Sequence, residues 1–417
     1  MERGIAVLGI AVMVGLAWLV SVDRRAIDWR SVAISLGLQV AIAFVCLRTA
    51  FGAGFFEAAN DGAVAFIAAA NAGIDFVFGR WPESVRDGEG AVVRLPFVFA
   101  IRVLPVIIFM SSVFSVLYHF GILQRVVEWT ARGLRRVLPI SGAEALTTVA
   151  NIFLGMTEAP LMVRPYIEAM TRSELFLVMT SGLASVAGSV LVAYMGMVGP
   201  EYSGHLIAAS FMSAPAAIMY AKLMIPEIGL PQTSGTVRLP RVPRTSVNVI
   251  DAAAEGASEG LRLALNIGAM LIAFVSLIFL LDSILQLAGA KLGVPGLSFG
   301  KLLGFVLAPL AWLLGVPWAD AAEVGELLGV KTVLNEFISY DMLSAAVKSG
   351  SLEPRSIVIA SYAMCGFANF GSLAILLGGL GEMARSRRGD IARDGMRAIL
   401  AGSLASFTTG ALAGILL

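Results

Sequence analysis

Runs of about twenty apolar residues, separated by short charged stretches, recur along nearly the whole of this 417-residue chain. A helix needs about 20 apolar residues to cross a bilayer core. The pattern therefore predicts spans at 4–22, 31–50, 95–118, 173–198, 203–225, 261–287, 357–383 and 395–416. A further apolar stretch at 298–317 is broken by Pro309 and Pro317, and reads either as a ninth span or as a short scaffold piece. Residues 54–79 interleave apolar positions with Glu57, Asn60, Asp61, Asn71 and Asp75, the pattern of an amphipathic helix lying at the interface. Segments 143–168 and 320–348 are long enough to cross but carry acids, Asn, Lys and Arg. Each is expected to be a re-entrant hairpin, two half-helices that enter and leave on one side.

The polar breaks repeat. Thr148-Val149-Ala150-Asn151-Ile152-Phe153 returns as Thr332-Val333-Leu334-Asn335-Glu336-Phe337, and Gly182-Leu183-Ala184-Ser185 returns as Gly366-Phe367-Ala368-Asn369. Both echoes are 184 residues apart, although the stretch between them matches poorly. Paired polar breaks in corresponding halves of a hydrophobic chain point to a transporter's binding site.

Basic residues orient the spans, because Lys and Arg collect on the cytoplasmic side. The clusters are Arg24, Arg25 and Arg30; Arg125, Arg132, Arg135 and Arg136; Lys222, Arg238, Arg241 and Arg244; and Arg385, Arg387, Arg388 and Arg393. All four fall on one side if neither hairpin segment crosses. Both termini are then expected outside, with the first hairpin entering from the inside and the second from the outside, an inverted repeat.

Composition agrees. The chain is 58% hydrophobic and 14% charged, with a mean hydropathy of +0.85, where soluble domains carry about 25% charge. A net charge of +1 and the absence of a basic tract give no reason to expect nucleic acid. Cys46 and Cys365 lie in apolar runs and read as buried free thiols. The first apolar run ends in a charged stop with no small-residue cleavage site, so a retained span is expected rather than a signal peptide.

Candidate chemistry gathers at the breaks. Gly155-Met156-Thr157-Glu158-Ala159-Pro160 reads as a hairpin tip, with Gly155 for the turn and Pro160 in the first turn of the next half-helix. Glu158 suits that N-terminus by the helix dipole; a second role is to accept hydrogen bonds from substrate. Glu336 stands five residues from Lys331, off helical pairing spacing, which favours a ligand role. Phe367, Asn369 and Ser372 offer a ring, an amide and a hydroxyl, suited to a polyhydroxylated or heterocyclic ligand; packing between helices is the plainer alternative. Asn151, Ser185 and freed carbonyls form a neutral all-oxygen set that suits a weakly held monovalent cation. Nothing resembles a catalytic set, so no enzymatic activity and no cofactor are expected.

The motifs Asn151–Leu161, Gly182–Gly188, Asn248–Ala257, Gly329–Phe337 and Cys365–Phe370 resemble those of the concentrative nucleoside transporters, over most of the chain from about residue 50. The resemblance implies an all-α polytopic protein of eight spans, two re-entrant hairpins and an interfacial helix, assembled as a homotrimer in a bacterial inner membrane. It implies peripheral helices in 1–50, an interfacial helix and a scaffold helix in 51–137, and a first transport repeat in 138–225. A cytoplasmic loop and second scaffold helix would fill 226–317, and a second transport repeat 318–417. Gly155, Thr157 and Glu158 would meet the nucleobase, with Val190 and Phe367 packing against it. Glu336, Asn369 and Ser372 would meet the ribose. Asn151 and Ser185, with the carbonyls of Leu154 and Val186, would hold sodium. Met156 departs from the family, where many members carry Gln, and a thioether lacks the amide's donor and acceptor; altered base preference is expected there.

The expectation is a sodium-coupled symporter of nucleosides such as uridine and adenosine, working by alternating access. Proton coupling through Glu158 or Glu336, an ion channel, and an intramembrane enzyme are the alternatives, in that order.

Overall fold

The computed structural model describes residues 2–80, 84–86, 92–94, 98–234, 246–292 and 296–417. The first residues of the span expected at 95–118, and Arg238, Arg241 and Arg244 of the third basic cluster, lie outside them. The described chain is helical apart from one short antiparallel strand pair, β1 (Ser84–Arg86) and β2 (Val92–Arg94). Its helices are α1 (Glu2–Leu19), α2 (Trp29–Arg48), α3 (Ala50–Phe78), α4 (Phe99–Arg102), α5 (Leu104–His119), α6 (Ile122–Val137), α7 (Gly142–Ala150), α8 (Arg164–Ile167) and α9 (Arg172–Ala184). They continue as α10 (Gly188–Val198), α11 (Ser203–Met224), α12 (Val249–Leu292), α13 (Phe299–Leu313), α14 (Trp318–Val333), α15 (Glu336–Ser349), α16 (Pro354–Met364), α17 (Phe370–Met383) and α18 (Arg388–Leu416).

Among the described residues eight helices have the length and apolarity to cross a membrane, and seven of these match expected spans. The eighth is α3, which by its composition could cross a bilayer as well as lie along one. The span expected at 357–383 is two short helices, α16 and α17, separated by a break at Cys365–Asn369. The span at 173–198 is likewise broken, between α9 and α10. Both expected hairpins fold back on themselves. The first runs from α7 through a tip to a 3-10 turn, Ala159–Val163, packed on α7, and the second is α14 against α15. The stretch at 298–317 forms α13, which turns through 116° into α14 and packs along it, so it is a brace for the second hairpin.

The arginines at 125–136, read from the sequence only as a basic cluster, lie on a helix. Leu123, Val127, Ala131 and Leu134 are buried at intervals of three and four residues along α6, and the arginines occupy its other faces. That spacing is an amphipathic stripe, which the basic residues masked.

The repeat extends further than its polar echoes. Helices α16, α17 and α18 each begin within about two residues of the positions 184 beyond the starts of α9, α10 and α11. These helices hold the core: the whole most-apolar stretch of α9–α10 is buried, against 6% of that of α12. Helix α12 rises about 66 Å at 1.5 Å per residue, far beyond a bilayer core of about 30 Å. It is held to α5 at Gly256 and Gly260, where an added Cβ would come 2.6 Å from the Ser111 carbonyl oxygen and 2.8 Å from the Ile108 Cα. Small residues let two backbones approach where lipid offers no hydrophobic driving force.

At one end of the core, α7 and α9 each start with a capping box, Ser141/Glu144 and Thr171/Glu174. Lys222 near the end of α11 joins them, donating to Glu144 and, at 3.0 Å, to Ser173 Oγ. Lys222 and Glu144 are buried, so removing one charge strands the other. Lys222→Met is expected to cost about 3–5 kcal/mol and to lower the melting temperature in detergent. Adding Glu144→Gln to that variant should recover part of the loss; equal melting of wild type and Lys222→Met would show that the pair carries no stability.

Candidate functional site

The four breaks meet around one cavity of about 310 Å³, within the range for small-molecule sites. Helix N-termini line it. Asn335 caps α15 by accepting from the Ile338 N–H at 3.0 Å, and Asn369 caps α17 by accepting from the Ser372 N–H at 2.7 Å. Ala187 precedes the first turn of α10, and Pro160 sits in the first turn of the 3-10 helix after the tip. Each helix start brings N–H donors and the positive end of a dipole, an environment for acids and hydrogen-bond acceptors. Two of the three acids that line it, Glu158 and Glu336, stand at such starts.

All nine residues expected to meet substrate line this cavity: Gly155, Met156, Thr157, Glu158, Val190, Glu336, Phe367, Asn369 and Ser372. Glu158 also shapes its own tip, accepting from the Gly155 N–H. Glu336 is braced within the protein. Its Oε1 accepts from the Tyr194 hydroxyl at 2.9 Å and its Oε2 from the Asn369 amide at 2.7 Å. Each carboxylate oxygen retains a second acceptor direction.

Sequence reasoning missed Tyr194, whose ring stacks on Tyr340 and meets Phe337 edge-on. It also missed the wall given by α12, with Glu259, Leu263, Asn266 and Met270, and by Ser111 of α5. The signal for α12 was present: Glu259, Asn266 and Met270 recur at helical spacing within an apolar run.

Behind the tip, Asn151 ends α7 and Ser185 ends α9. The Asn151 amide donates to the Thr147 carbonyl and to Ser181 Oγ, both at 3.0 Å, and Ser185 Oγ donates to the Ser181 carbonyl at 2.8 Å. The segments that carry Leu154 and Val186 are joined next to them, where the Gly188 N–H donates to the Phe153 carbonyl at 3.0 Å. Asn151 Oδ1 is buried without a hydrogen-bond partner. A buried, unpaired amide oxygen costs about 1–3 kcal/mol, and a hard cation is a fitting partner for it. The two broken spans cross here: the Phe367 N–H donates to the Ser185 carbonyl at 3.1 Å. Gly366 permits the crossing, because an added Cβ would lie 3.0 Å from the Ala184 carbonyl oxygen and 2.5 Å from Ser406 Oγ.

Three family models cover most of the chain. Those for the N-terminus and C-terminus of Na+ dependent nucleoside transporters match residues 8–81 and 205–414, and one for nucleoside recognition matches 100–201. The chain belongs to the concentrative nucleoside transporter family. It is 43% identical to an uncharacterized transporter of Haemophilus influenzae over 98% of this chain and 97% of that one. It is 38% identical to the nucleoside permease NupC of Helicobacter pylori, over 98% and 97%. A structure of CNTnw in an inward-facing substrate-bound state superposes with a TM-score of 0.90 at 42% identity, covering 100% of this chain and 98% of that one. In this family setting the protein is a multi-pass membrane transporter, and the Helicobacter pylori relative is named a nucleoside permease.

Tyr194 gives a direct check on the bracing of Glu336. Tyr194→Phe keeps the ring and removes the donor. Hydrogen bonds to charged groups contribute about 1.5–3 kcal/mol, so nucleoside binding by calorimetry is expected to weaken roughly tenfold or more. An unchanged Kd would mean that the Asn369 contact alone positions the carboxylate.

Proposed function

We propose that the protein is a sodium-coupled symporter that brings nucleosides such as uridine and adenosine into the cell by alternating access. One observation carries this reading: a nucleoside-sized cavity walled by helix N-termini, with an unpartnered buried Asn151 Oδ1 one turn behind it. Gly155, Thr157 and Glu158 meet the nucleobase, with Val190 and Phe367 against its faces. Glu336, Asn369 and Ser372 meet the ribose, Glu336 through its remaining acceptor directions. Sodium sits among Asn151, Ser185 and the carbonyls of Leu154 and Val186, and ties the end of α7 to the end of α9. Its binding orders the tip that nucleoside then closes upon.

The two hairpins with α9–α11 and α16–α18 form the moving part, and α3, α5 and α12 the scaffold; α1 and α2 are peripheral. Large apolar side chains stand outward on α12, among them Ile272 and Phe279, a surface suited to lipid and to the other protomers of a homotrimer. In this reading the protein lies in a bacterial inner membrane, and the basic clusters support an orientation with both termini outside.

Uptake of labelled uridine and adenosine into proteoliposomes, first with an inward sodium gradient and then with choline at fixed pH, tests the reading. Saturable uptake that requires sodium is expected. Uptake that ignores sodium and follows a pH gradient would replace sodium with a proton, and no uptake of either compound would remove the substrate assignment.

Met156 lines the cavity beside the residues assigned to the base. Met156→Gln restores an amide donor and acceptor, and is expected to change the ranking of purine and pyrimidine nucleosides in a competition assay. An unchanged ranking would show that this position does not read the base.

A further inference from the structure

Helix α6 starts just after α5, the end of a stretch long and apolar enough to cross the membrane, and Gly121, at φ 71°, makes the turn between them. At 16 residues it is about 24 Å long, too short to cross, and it leads into α7, the first helix of the first hairpin. It packs on α5 and α7 and buries the row Leu123, Val127, Ala131 and Leu134. A second apolar row is not buried: Ile122, Val126, Trp129 and Val137 are exposed, Trp129 to 76%. A third row is basic. Arg125, Arg132 and Arg136 follow one another at helical spacing and are exposed as well.

At about 100° per residue, the exposed apolar row lies between the buried face and the arginines. That order suits a helix lying in a membrane surface, with protein on one side, acyl chains below and headgroups along the basic row. Tryptophan favours that level, and a guanidinium fork matches a phosphate group bidentately. Four arginines against Glu128 give α6 a net charge of +3. Arg132 pairs with Glu128, but an exposed pair of this kind is weak and leaves other N–H donors free. Among the described residues no ion pair engages Arg125 or Arg136. The second half of the repeat shows that the fold does not need these charges. Helix α13 precedes the second hairpin as α6 precedes the first, and it too leaves apolar residues exposed, Leu302, Phe305 and Val306. Its one charged residue is Lys301, which donates to the Gly296 carbonyl at 2.8 Å. On the proposed orientation α13 lies at the outer face and α6 at the inner one, where anionic lipids attract basic segments. A topological signal needs charge near the end of a span; it does not need that charge in one row beside an exposed apolar row.

We propose that α6 is a site for anionic phospholipid: Arg125, Arg132 and Arg136 hold the phosphate-bearing headgroups of the inner leaflet while Ile122, Val126, Trp129 and Val137 seat among the acyl chains. Because α6 joins the scaffold helix α5 to the first hairpin, lipid held there steadies the fixed end from which the hairpin moves, and transport is faster where such lipid is present. The effect on transport rests on the alternating-access reading above; the lipid site does not.

The test uses the full chain in vesicles of phosphatidylcholine mixed with phosphatidylglycerol, with bromine on the acyl chains of one lipid at a time. Trp129 is read as the difference in fluorescence between wild type and Trp129→Phe. Brominated phosphatidylglycerol is expected to quench Trp129 more strongly than brominated phosphatidylcholine at equal mole fraction, since each arginine near the surface favours anionic lipid by roughly fivefold. The triple variant Arg125→Gln, Arg132→Gln, Arg136→Gln is expected to keep the quenching and lose the preference. Wild-type uridine uptake is expected to be faster with phosphatidylglycerol than in phosphatidylcholine alone, and uptake by the triple variant to be equal in both. Equal quenching of the wild type by the two lipids would overturn the headgroup site. No quenching by either would overturn the whole surface and show that protein, such as a second copy of the chain, covers the row. Where the triple variant does not fold, the wild-type comparison still decides, and Arg125→Gln and Arg136→Gln are each expected to lower the preference. A preference with equal wild-type uptake in both vesicles keeps the site and overturns its effect on transport. A preference with no uptake in either removes the nucleoside reading and leaves the lipid site standing.

Discussion

A peptide group inside a hydrocarbon layer must find its hydrogen-bond partner within the protein. A continuous helix meets that demand unaided, and a broken one does not. Here two hairpins and two interrupted spans bring their breaks together in the buried centre. The ends of the half-helices sort by polarity. Starts of helices face the cavity, capped by Asn335 and Asn369, while the ends of α7 and α9 face the Asn151 and Ser185 side chains. One constraint thereby yields two environments a few residues apart, one favouring acceptors and acids and one favouring a cation.

The side chains that satisfy the breaks also shape the binding surface. Asn369 caps α17 with its oxygen and braces Glu336 with its nitrogen. Ser185 turns its hydroxyl to the Ser181 carbonyl and its own carbonyl to the Phe367 N–H, and Phe367 lines the cavity. On the proposed assignment, the ion side and the substrate side therefore share a single peptide contact. A shift of Ser185 on ion binding would be felt at the Phe367 ring without any longer chain of residues.

What could be read along the chain was what depends on local pattern. Apolar run length marks the spans, and polar residues inside such runs mark the breaks. The match between Asn151 and Asn335 was visible because each half meets the same local demand. Contacts between distant segments were not visible. Tyr194 reaches Glu336 across 142 residues, and nothing in Leu191-Val192-Ala193-Tyr194 separates a hydroxyl aimed at a carboxylate from a core tyrosine. Helix α6 was hidden for a different reason: its basic residues carried the topological signal, and that drew attention from the apolar stripe beneath them. The break between α16 and α17 was legible only through Asn369 and its echo of Ser185, because Gly366, Phe367 and Ala368 keep the local hydropathy high through it.

The cavity is not lined by the repeats alone. Ser111 of α5 and Glu259, Leu263, Asn266 and Met270 of α12 complete it, and these two helices are fastened to each other at Gly256 and Gly260. Residues such as Glu336, Asn369 and Gly155 are tied by hydrogen bonds within the hairpins and broken spans. On the alternating-access reading, those contacts travel with the substrate. The contacts from α12 do not, on the proposed assignment of α5 and α12 to the scaffold. Contacts that persist through the motion contribute affinity in every state, whereas those from α12 exist only while the cavity faces that stretch of the scaffold. A polar group at Asn266 or Glu259 therefore acts on the relative energy of the states rather than on binding as such, which is where a ligand can shift an equilibrium.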